Sequence, residues 1–414
     1  MPRVSSNLIN NNVQQNLRSQ ESRTNKAQNQ MGSQQRIQSL RDDPIAAGHL
    51  VRYQSYANRV DQFKHNAQTL TDQFVYSEGY INNSLQIMQR IRELAVTGAN
   101  GIYGKDDMQN MATEVNELLK ELIQNANAVS PDGSSLFAGT RTNRTAFEVS
   151  MGMVEGSAEA LISSVRYNGT NESNNVEVDE HAYMNIDRDG SKLFWAENQR
   201  LFSERDATRY QVRQDSVIKV DGTEIKLNAG DSIFAIISKI NDAGVAVKAT
   251  IDPITNGLNL QTTDARLLWL HDTKGTTLQD LGLIKDSTQL PPYNLGNSVR
   301  VSGGSMFDTV IAFRDALLRG DSESAGSRVL GSIDSAIGNL ITNIAKIGSD
   351  YERSQNQIAK AETNTLNVAQ QISREGDLDI TKAITDMKML EYVHQASLST
   401  AAKMYQNSLL NHIK

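Results

Sequence analysis

Apolar residues that recur at alternating steps of four and three positions constrain the fold of this chain more than any other feature. A spacing that averages 3.5 residues puts a narrow apolar stripe along a long helix, and that stripe needs a partner helix to cover it. Ser354 is a polar break in the longest series, and the second half of that series is weaker. The series consists of Ile333, Ile337, Leu340, Ile344, Ile347, Tyr351, Ser354, Ile358, Ala361, Thr365, Val368 and Ile372.

The N-terminal half of the chain offers such a partner helix. Asp43 is placed to cap a helix and Pro44 to occupy its first position, and no proline follows between 45 and 97. A break at 98–101 precedes a second helical pattern, and the turn sequence Ser-Pro-Asp-Gly follows at 130–133. Because neither half has a core of its own, we expect the two halves to pack on each other. The expected helical core includes Leu50, Tyr53, Val60, Ile337, Ile344, Ile347 and Tyr351.

The two ends of the chain carry much thinner stripes. Asn and Gln supply 15 of the first 38 residues, and the charges of residues 1–41 sum to +5. Isolated helices are marginal without packing, so we predict that residues 1–41 are disordered in the monomer and become helical on assembly. The segment 375–414 is similarly polar, and we expect it to be equally mobile before assembly.

The middle of the chain has a different pattern. Apolar and polar residues alternate on both sides of Asp221-Gly222, which is a strong hairpin signal. Residues 233–243 suggest a short helix with Ile236, Ile237 and Ile240 inward, and 245–251 and 258–262 suggest strands. Helix returns after 304, where Ser305 and Asp308 form a capping-box pattern and Gly320 is a stop.

These patterns predict an α+β fold. A long antiparallel coiled-coil-like helical bundle is built from the N- and C-terminal segments, and a β-rich domain is inserted between them. The predicted divisions are an N-terminal assembly segment at 1–41, helical halves at 42–139 and 301–374, the inserted domain at 140–300, and a C-terminal assembly segment at 375–414.

Composition excludes several classes of function. The absence of cysteine removes disulfides, thiolate metal sites and cysteine nucleophiles, and the net charge of -7 argues against nucleic acid as a partner. No apolar run approaches the ~20 residues that a bilayer requires, and the N-terminus lacks a signal-peptide pattern. The six histidines show no metal-ligand spacing, and no nucleophile elbow, phosphate loop or dinucleotide fingerprint occurs. We therefore expect no enzymatic activity, no cofactor, no metal and no membrane insertion.

One segment imitates a calcium loop. Asn185, Asp187, Asp189 and Gly190 match the start of an EF-hand, but Ala196 stands where the bidentate Glu is required. A surface turn is the better interpretation, and Asp377 with Asp379 is better interpreted as a solvated helix start than as a catalytic pair.

Five separated segments resemble the flagellin superfamily, and most closely its hook-associated protein 3, which forms the hook–filament junction. Residues 39–47 (Ser-Leu-Arg-Asp-Asp-Pro-Ile-Ala-Ala) are similar to a junction-protein motif, and 136–142 to a hairpin entry of the family. Residues 231–262, which lie within 217–263, resemble a flagellin insertion motif. Residues 307–318 resemble a helix from the second half of junction proteins, and 377–379 with the polar tail resemble the C-terminal helix of the family.

The resemblance implies a structural role and a set of partners. Copies would leave the cell unfolded by type III export, form a ring with themselves, and contact hook-associated protein 1 on the hook side and flagellin on the filament side. A cytoplasmic chaperone would bind the C-terminal segment before export. The protein would be secreted and would lie in the bacterial flagellum, outside the cell or in the periplasm. The residues expected to take part in assembly are Leu8, Leu17, Asp42, Asp43, Pro44, Leu390, Leu398, Tyr405 and Leu409.

Three alternatives remain open at the level of sequence. The same terminal design occurs in flagellin itself, and long heptads occur in other exported coiled-coil surface proteins. An exported enzyme or adhesin built on residues 140–300 is a third possibility, although no motif predicts one.

Overall fold

The computed structural model describes residues 3–410 except 187, 287, 288, 290 and 327, and it describes side chains only between 11 and 403. The helices within that range are α1 Arg3–Ser33, α2 Pro44–Ala99, α3 Lys105–Ala126, α4 Gly190–Leu193, α5 Ile233–Asp242, α6 Thr277–Asp280, α7 Met306–Arg319, α8 Ser322–Gly326, α9 Arg328–Gly376 and α10 Ile380–Leu410. The strands are β1 Phe147–Met153, β2 Ala160–Tyr167, β3 Asn175–Asp179, β4 Ala182–Asn185, β5 Asn198–Ser203, β6 Ser216–Val220, β7 Thr223–Leu227, β8 Val247–Ile251, β9 Leu258–Ala265, β10 Leu270–Lys274 and β11 Val299–Ser302.

The chain divides into two compact units. The first comprises residues 1–65 and 357–414, and the second comprises residues 66–356, so the divisions fall inside α2 and α9. Helices at both ends of the sequence and strands in its middle confirm the predicted α+β class. The finer division at residues 41 and 375, which concerns order in the monomer, stays a prediction.

The second unit contains a helical bundle of α3, α7 and the parts of α2 and α9 that lie within it. The α2 and α9 segments run antiparallel, because Arg92 contacts Asp334 at 2.5 Å while Thr71 contacts Ser354 at 2.8 Å. Between α3 and α7, the fully buried Arg314 donates to Asn116 Oδ1 at 3.1 Å. Deeply buried apolar side chains of the bundle include Leu70, Phe74, Ile81, Met88, Ile91, Leu119, Leu122, Phe313, Leu317, Ile333 and Leu340.

The polar break in the long heptad series is a buried hydrogen-bonded group. Ser354 is completely buried and donates to the Ala67 carbonyl oxygen at 2.7 Å. Its oxygen lies 2.8 Å from the Thr71 hydroxyl oxygen, which is itself 2.9 Å from the Ala67 carbonyl oxygen. Because every polar atom of this group has a partner, the serine interrupts the apolar stripe without leaving a buried group unpaired.

The helix starts and stops follow the predicted local chemistry. Ser305 and Asp308 form a reciprocal capping box, with the Ser305 N–H donating to Asp308 Oδ2 at 2.9 Å and the Asp308 N–H donating to Ser305 Oγ at 3.1 Å. Gly320 ends α7 in the left-handed conformation at φ 72°. These contacts confirm the helix boundaries proposed from the sequence.

The strands of the second unit form four antiparallel sheets. Their orders are β10–β6–β7, β11–β5–β9–β8, β1–β2 and β3–β4. Asp221 at φ 47° and Gly222 at φ 90° make the tight turn between β6 and β7, which confirms the predicted hairpin. Ile236 and Ile240 of α5 are buried in the domain core as expected, whereas Ile237 is only partly buried.

Aromatic side chains pack the start of α7 against the rest of the inserted domain. The Phe147 and Phe307 ring centroids are 4.9 Å apart, and those of Phe137 and Phe194 are 5.3 Å apart. All four side chains are essentially excluded from solvent. Large aromatic side chains dominate core energetics, so this cluster anchors the β-rich region to the bundle within the unit.

The predicted helical-core residues differ in burial. Val60 and Ile347 are buried. Five others are partly exposed, because a stripe between two long helices is narrower than a globular core: Leu50, Tyr53, Ile337, Ile344 and Tyr351.

The segment that imitates a calcium loop is a helix start. Asp189 caps α4 by accepting from the Ser191 N–H at 2.8 Å, and burial raises the pKa of its carboxyl group. Position 187 lies outside the described residues. Within the described ranges, no group of three or more His, Asp or Glu side chains is arranged to hold a metal ion. None of the described helices contains a stretch long and apolar enough to cross a bilayer.

Candidate assembly surface on the terminal helices

Helices α1 and α10 pack on each other with a thin seam. The partly buried positions of both helices recur at steps of four and three, as in a coiled coil. On α1 the positions of this series are Val13, Leu17, Gln20, Thr24, Ala27 and Met31, and Gln30 beside Met31 is also partly buried. On α10 they are Ala383, Met387, Leu390, His394, Ser397 and Ala401, of which only Ala401 is buried. A seam in which more than half of the positions are polar or alanine contributes little apolar burial.

The middle of this seam contains two unpaired polar atoms. Gln20 Oε1 and His394 Nδ1 are buried, and neither has a hydrogen-bond partner among the described residues. Gln35 pairs with Asp377 where the two helices join their linkers, so counting along each helix places Gln20 and His394 at similar heights. Each buried unsatisfied group costs about 1–3 kcal/mol, which weakens an already thin pair.

Helix α10 also exposes large apolar side chains outside the seam. Tyr392 is 75% exposed, Met389 62% and Leu398 47%. Ile380, Ile384 and Val393 add to the exposed apolar surface of the same helix. Apolar groups concentrated on one exposed element mark a surface suited to contact with other chains.

Two linkers join the terminal helices to the long ones, and we refer to residues 34–43 and 377–379 together as the double linker. The linkers pair by backbone hydrogen bonds. The Arg36 N–H donates to the Gly376 carbonyl at 2.7 Å, and the Leu378 N–H donates to the Gln34 carbonyl at 3.0 Å. The Arg36 guanidinium also donates to the Glu375 carbonyl oxygen at 2.7 Å.

Arg36 connects both halves of the sequence electrostatically as well. Its guanidinium lies 3.4 Å from Asp43 Oδ2 and 4.0 Å from Glu375 Oε2, and His49 Nδ1 lies 3.8 Å from Glu375 Oε1. A small apolar cluster lies beside these charges and consists of Ile37, Ala46, Ala47 and the partly buried Leu50. The double linker is therefore held mainly by hydrogen bonds and charges, with little apolar burial.

Asp42 organises the first linker. Its Oδ1 lies 2.5 Å from Lys26 Nζ on α1, and its Oδ2 accepts from the Gln38 and Ser39 N–H groups at 3.0 Å each. The hydrogen bond from Lys26, followed by these two N–H groups, lowers the pKa of Asp42 well below its ordinary value. The negative charge of Asp42 therefore ties α1 to the linker at neutral pH.

Asp43 and Pro44 begin α2 as the sequence predicts. Asp43 Oδ1 accepts from the Ala46 N–H at 3.1 Å, and α2 starts at Pro44. That backbone hydrogen bond, with a further contribution from Arg36, lowers the pKa of Asp43. The carboxylate is thus both a helix cap and a partner of the linker cation.

The structure brings together only some of the predicted assembly residues. Leu17 and Leu390 lie in the seam, Asp42, Asp43 and Pro44 lie at the double linker, and Leu398 lies outside the seam. The side chains of Leu8, Tyr405 and Leu409 lie outside the described residues, although their backbones belong to α1 and α10. Their roles in assembly stay predictions.

Sequence reasoning missed three residues that hold the double linker in place: Lys26 on α1, Arg36 in the linker and Glu375 on α9. Arg36 and Glu375 are 339 positions apart, so no local pattern connects them. The adjacent carboxylates of Asp42 and Asp43 were the only available signal, since two acids at a helix start need nearby cations or N–H groups.

Comparisons with known proteins agree with this architecture. The family model described as the bacterial flagellin N-terminal helical region matches residues 4–142, and the one described as the bacterial flagellin C-terminal helical region matches 330–413. Together the two matched regions comprise more than half of the chain.

Similar proteins include both filament and junction components. Flagellin FlaB1 of Treponema pallidum is 28% identical over 233 residues, which is 52% of this chain and 78% of that protein. Flagellar hook-associated protein 3 of Escherichia coli is 24% identical over 252 residues, 61% of this chain and 72% of that protein. A solved structure of hook-associated protein 3 from Legionella pneumophila covers 82% of this chain and 98% of its own, at 16% identity and a TM-score of 0.43. The chain therefore belongs to the flagellin family, whose members are structural components of the bacterial flagellum.

Proposed function

We propose that this chain forms the junction ring between hook and filament, on which flagellin polymerises. The observation that carries the proposal is the double linker. Its N-terminal part, residues 34–43, contains the start of the segment 39–47 that resembles the junction-protein motif, and Asp42 and Asp43 of that motif make the contacts that order the linker. The second junction-like segment, 307–318, lies in the capped helix α7.

The terminal helices would supply the assembly energy. Burying one exposed large apolar side chain contributes roughly 1.5–3 kcal/mol, and α10 exposes several that its own unit leaves uncovered. Contact with neighbouring copies would cover these side chains and add the order that the thin α1/α10 seam lacks. We infer that residues 1–41 and 375–414 gain most of their order in the ring.

The remaining partners follow from the same proposal. The hook-side neighbour would be hook-associated protein 1, the filament-side neighbour would be flagellin, and a cytoplasmic chaperone would cover the C-terminal segment before type III export. A chain whose ends are thinly packed suits passage through a narrow export channel, because little structure has to be undone. The ring would lie outside the cell or, with periplasmic flagella, in the periplasm.

Deletion of the gene in the bacterium that encodes the chain tests the proposal. Electron microscopy should find bare hooks, and flagellin should appear in the medium as monomer. Wild-type chain should restore filaments. Full-length filaments on the deletion strain would contradict the proposal.

Matched variants test the surface that we assign to assembly. A variant with Tyr392→Ser and Leu398→Ser removes two exposed apolar groups from α10 and should fail to restore filaments. Ile254, which is 88% exposed in the inserted domain, provides the control, and Ile254→Ser should restore filaments fully. Equal rescue by both variants would remove α10 from the proposed contact.

A filament subunit is the second candidate function, and the 28% identity with flagellin FlaB1 favours it. Purified chain added to sheared filament seeds distinguishes the two. A junction protein should add at most a short cap, whereas a filament subunit should extend the seeds by micrometres.

A further inference from the structure

A small cleft lies beside the outer face of the sheet β10–β6–β7. The other face of that sheet packs against α5 in the apolar core of the inserted domain, with Ile218 and Leu270 buried there. Lys219 on β6 and His271 on β10 are directly paired across the sheet and line the cleft, as does Trp269. The cavity has a volume of about 220 Å³.

The wall of the cleft is fixed by hydrogen bonds. The Thr140 N–H donates to Thr170 Oγ1 at 2.9 Å, and the Thr170 N–H donates to the Ala138 carbonyl at 3.0 Å. The buried Tyr167 hydroxyl lies 3.1 Å from the Thr170 carbonyl oxygen. Between these contacts Gly139 has φ 60°, and a Cβ there would lie 2.4 Å from the same carbonyl oxygen. A wall held in this way needs little reorganisation to receive a ligand.

The charges of the cleft are unevenly balanced. Lys219 Nζ lies 3.1 Å from Glu172 Oε1, so that pair compensates itself. Arg141 also lines the cleft, and its guanidinium donates to the Asn168 carbonyl oxygen at 3.2 Å. No carboxylate among the described residues forms an ion pair with Arg141. An exposed arginine without an acid partner can bind a carboxylate through two parallel hydrogen bonds.

The remaining groups combine an apolar surface with polar side chains. Trp269 lines the cleft and is 7% exposed, and its Nε1 donates to Ser191 Oγ at 3.4 Å. His271 also lines the cleft, and its Nδ1 is buried with no hydrogen-bond partner among the described residues. Asn171 and Glu172 add an amide and a carboxylate at the rim. This combination suits a molecule with several hydroxyl groups, one apolar face and one negative charge.

The volume of the cleft narrows the choice of ligand further. Sites for drug-sized ligands enclose about 300–1,000 Å³, so a 220 Å³ cleft fits a smaller molecule.

We propose that this cleft binds a monosaccharide that carries a carboxylate, a uronic or sialic acid, free or as a residue of a polymer. Arg141 holds the carboxylate, Asn171 and Glu172 hold hydroxyl groups, and Trp269 contacts the apolar face of the ring.

Fluorine NMR of the full chain labelled with 5-fluorotryptophan tests the proposal directly. The chain has two tryptophans, Trp195 and Trp269, and the variant Trp195→Phe assigns the two signals. Added D-glucuronate should shift the Trp269 signal in a saturable manner and leave the Trp195 signal in place. D-glucose, which has the same ring without the carboxylate, should bind at least about tenfold more weakly.

Two arginine variants provide the matched comparison. Arg141→Gln should weaken glucuronate binding at least about tenfold, whereas Arg144→Gln, an exposed arginine three positions along the same segment, should leave it unchanged. Polygalacturonate added in parallel separates the sources, because competition by the polymer assigns the site to polymeric uronic acid and its absence assigns it to the free sugar. The proposal is overturned if glucuronate gives no saturable shift, if glucose binds equally well, or if Arg141→Gln binds like wild type.

Discussion

Replacement of Ser354 tests the packing of α2 against α9 most sharply. In Ser354→Ala the hydroxyl that donates to the Ala67 carbonyl oxygen at 2.7 Å is lost, together with the contact to Thr71 at 2.8 Å. The Thr71 hydroxyl can then donate to the Ala67 carbonyl oxygen, which is already 2.9 Å away. No buried donor is left unpaired, so the free energy of unfolding should fall by only about 1 kcal/mol.

A larger side chain at the same position should cost more. Ser354 is completely buried between the helices, and Ser354→Leu adds three carbon atoms to a site without room for them. Overpacking of this kind costs about 1–3 kcal/mol, so the leucine variant should be less stable than the alanine variant although it extends the apolar stripe. The apolar pattern of the sequence alone predicts the opposite, namely that the leucine variant is more stable than the alanine variant.

Urea unfolding followed by circular dichroism at 222 nm measures these changes. Ser349→Ala, at an exposed position of the same helix, is the control and should shift the free energy by less than about 0.5 kcal/mol. The double variant Thr71→Val with Ser354→Ala should be no more stable than Ser354→Ala, because the Thr71 hydroxyl is still paired with the Ala67 carbonyl oxygen in the single variant. A leucine variant more stable than wild type would refute the reasoning.

Three further predictions concern other parts of the chain. Gly139→Ala should lower the free energy of unfolding by more than about 3 kcal/mol, because φ is 60° and a backbone oxygen lies 2.4 Å from the new Cβ. Gly133→Ala, at φ 83° with open space around it, measures the backbone strain alone. Equal losses of stability in the two variants would contradict a steric clash at Gly139. Burial raises the pKa of Asp272 to about 6 from 3.8, so its protonated form is favoured in the fold. Wild type should therefore lose roughly 2 kcal/mol relative to Asp272→Asn as the pH rises from 4 to 7, measured by thermal unfolding of both chains, and parallel pH profiles would argue against it. The lowered pKa of Asp42 acts in the opposite direction, because the stabilisation that its charge gives the linker 34–43 is present at neutral pH and declines as the pH falls below 3.8. Proteolysis of that linker in wild type should therefore approach that in Asp42→Asn as the pH is lowered, and a difference between the two chains that stays constant would contradict this.

Local chemistry made much of the fold predictable from the sequence. Asp43 with Pro44 and Ser305 with Asp308 fix helix starts through contacts within four residues, and Asp221-Gly222 fixes a hairpin through backbone conformation alone. Such signals need no knowledge of distant residues, and the structure confirms each of them.

Two features were not predictable in the same way. The α1/α10 seam includes Gln20, His394 and Ser397, which a search for apolar residues passes over, whereas the apolar Leu398 lies 47% exposed beside it. The double linker depends on Arg36 reaching the Glu375 carbonyl across 339 positions. The seam and the double linker both form between residues that are far apart in the sequence. Local sequence patterns therefore do not predict their contacts.

The sheet order of the inserted domain was also beyond the sequence patterns. The strands of β11–β5–β9–β8 come from distant positions, and β5 lies between β9 and β11 although neither follows it directly in the chain. Alternation identifies which residues face a core, but it does not specify which strand is the neighbour.

Amide hydrogen exchange of the two terminal helices tests the central claim most directly. The described seam and exposed surface predict that residues 11–33 and 380–403 exchange rapidly in the dilute purified chain and become protected in isolated hook–filament complexes. Equal and strong protection of both segments in the dilute chain would mean that α1 and α10 are stable without neighbours, and would contradict the proposal that assembly orders them.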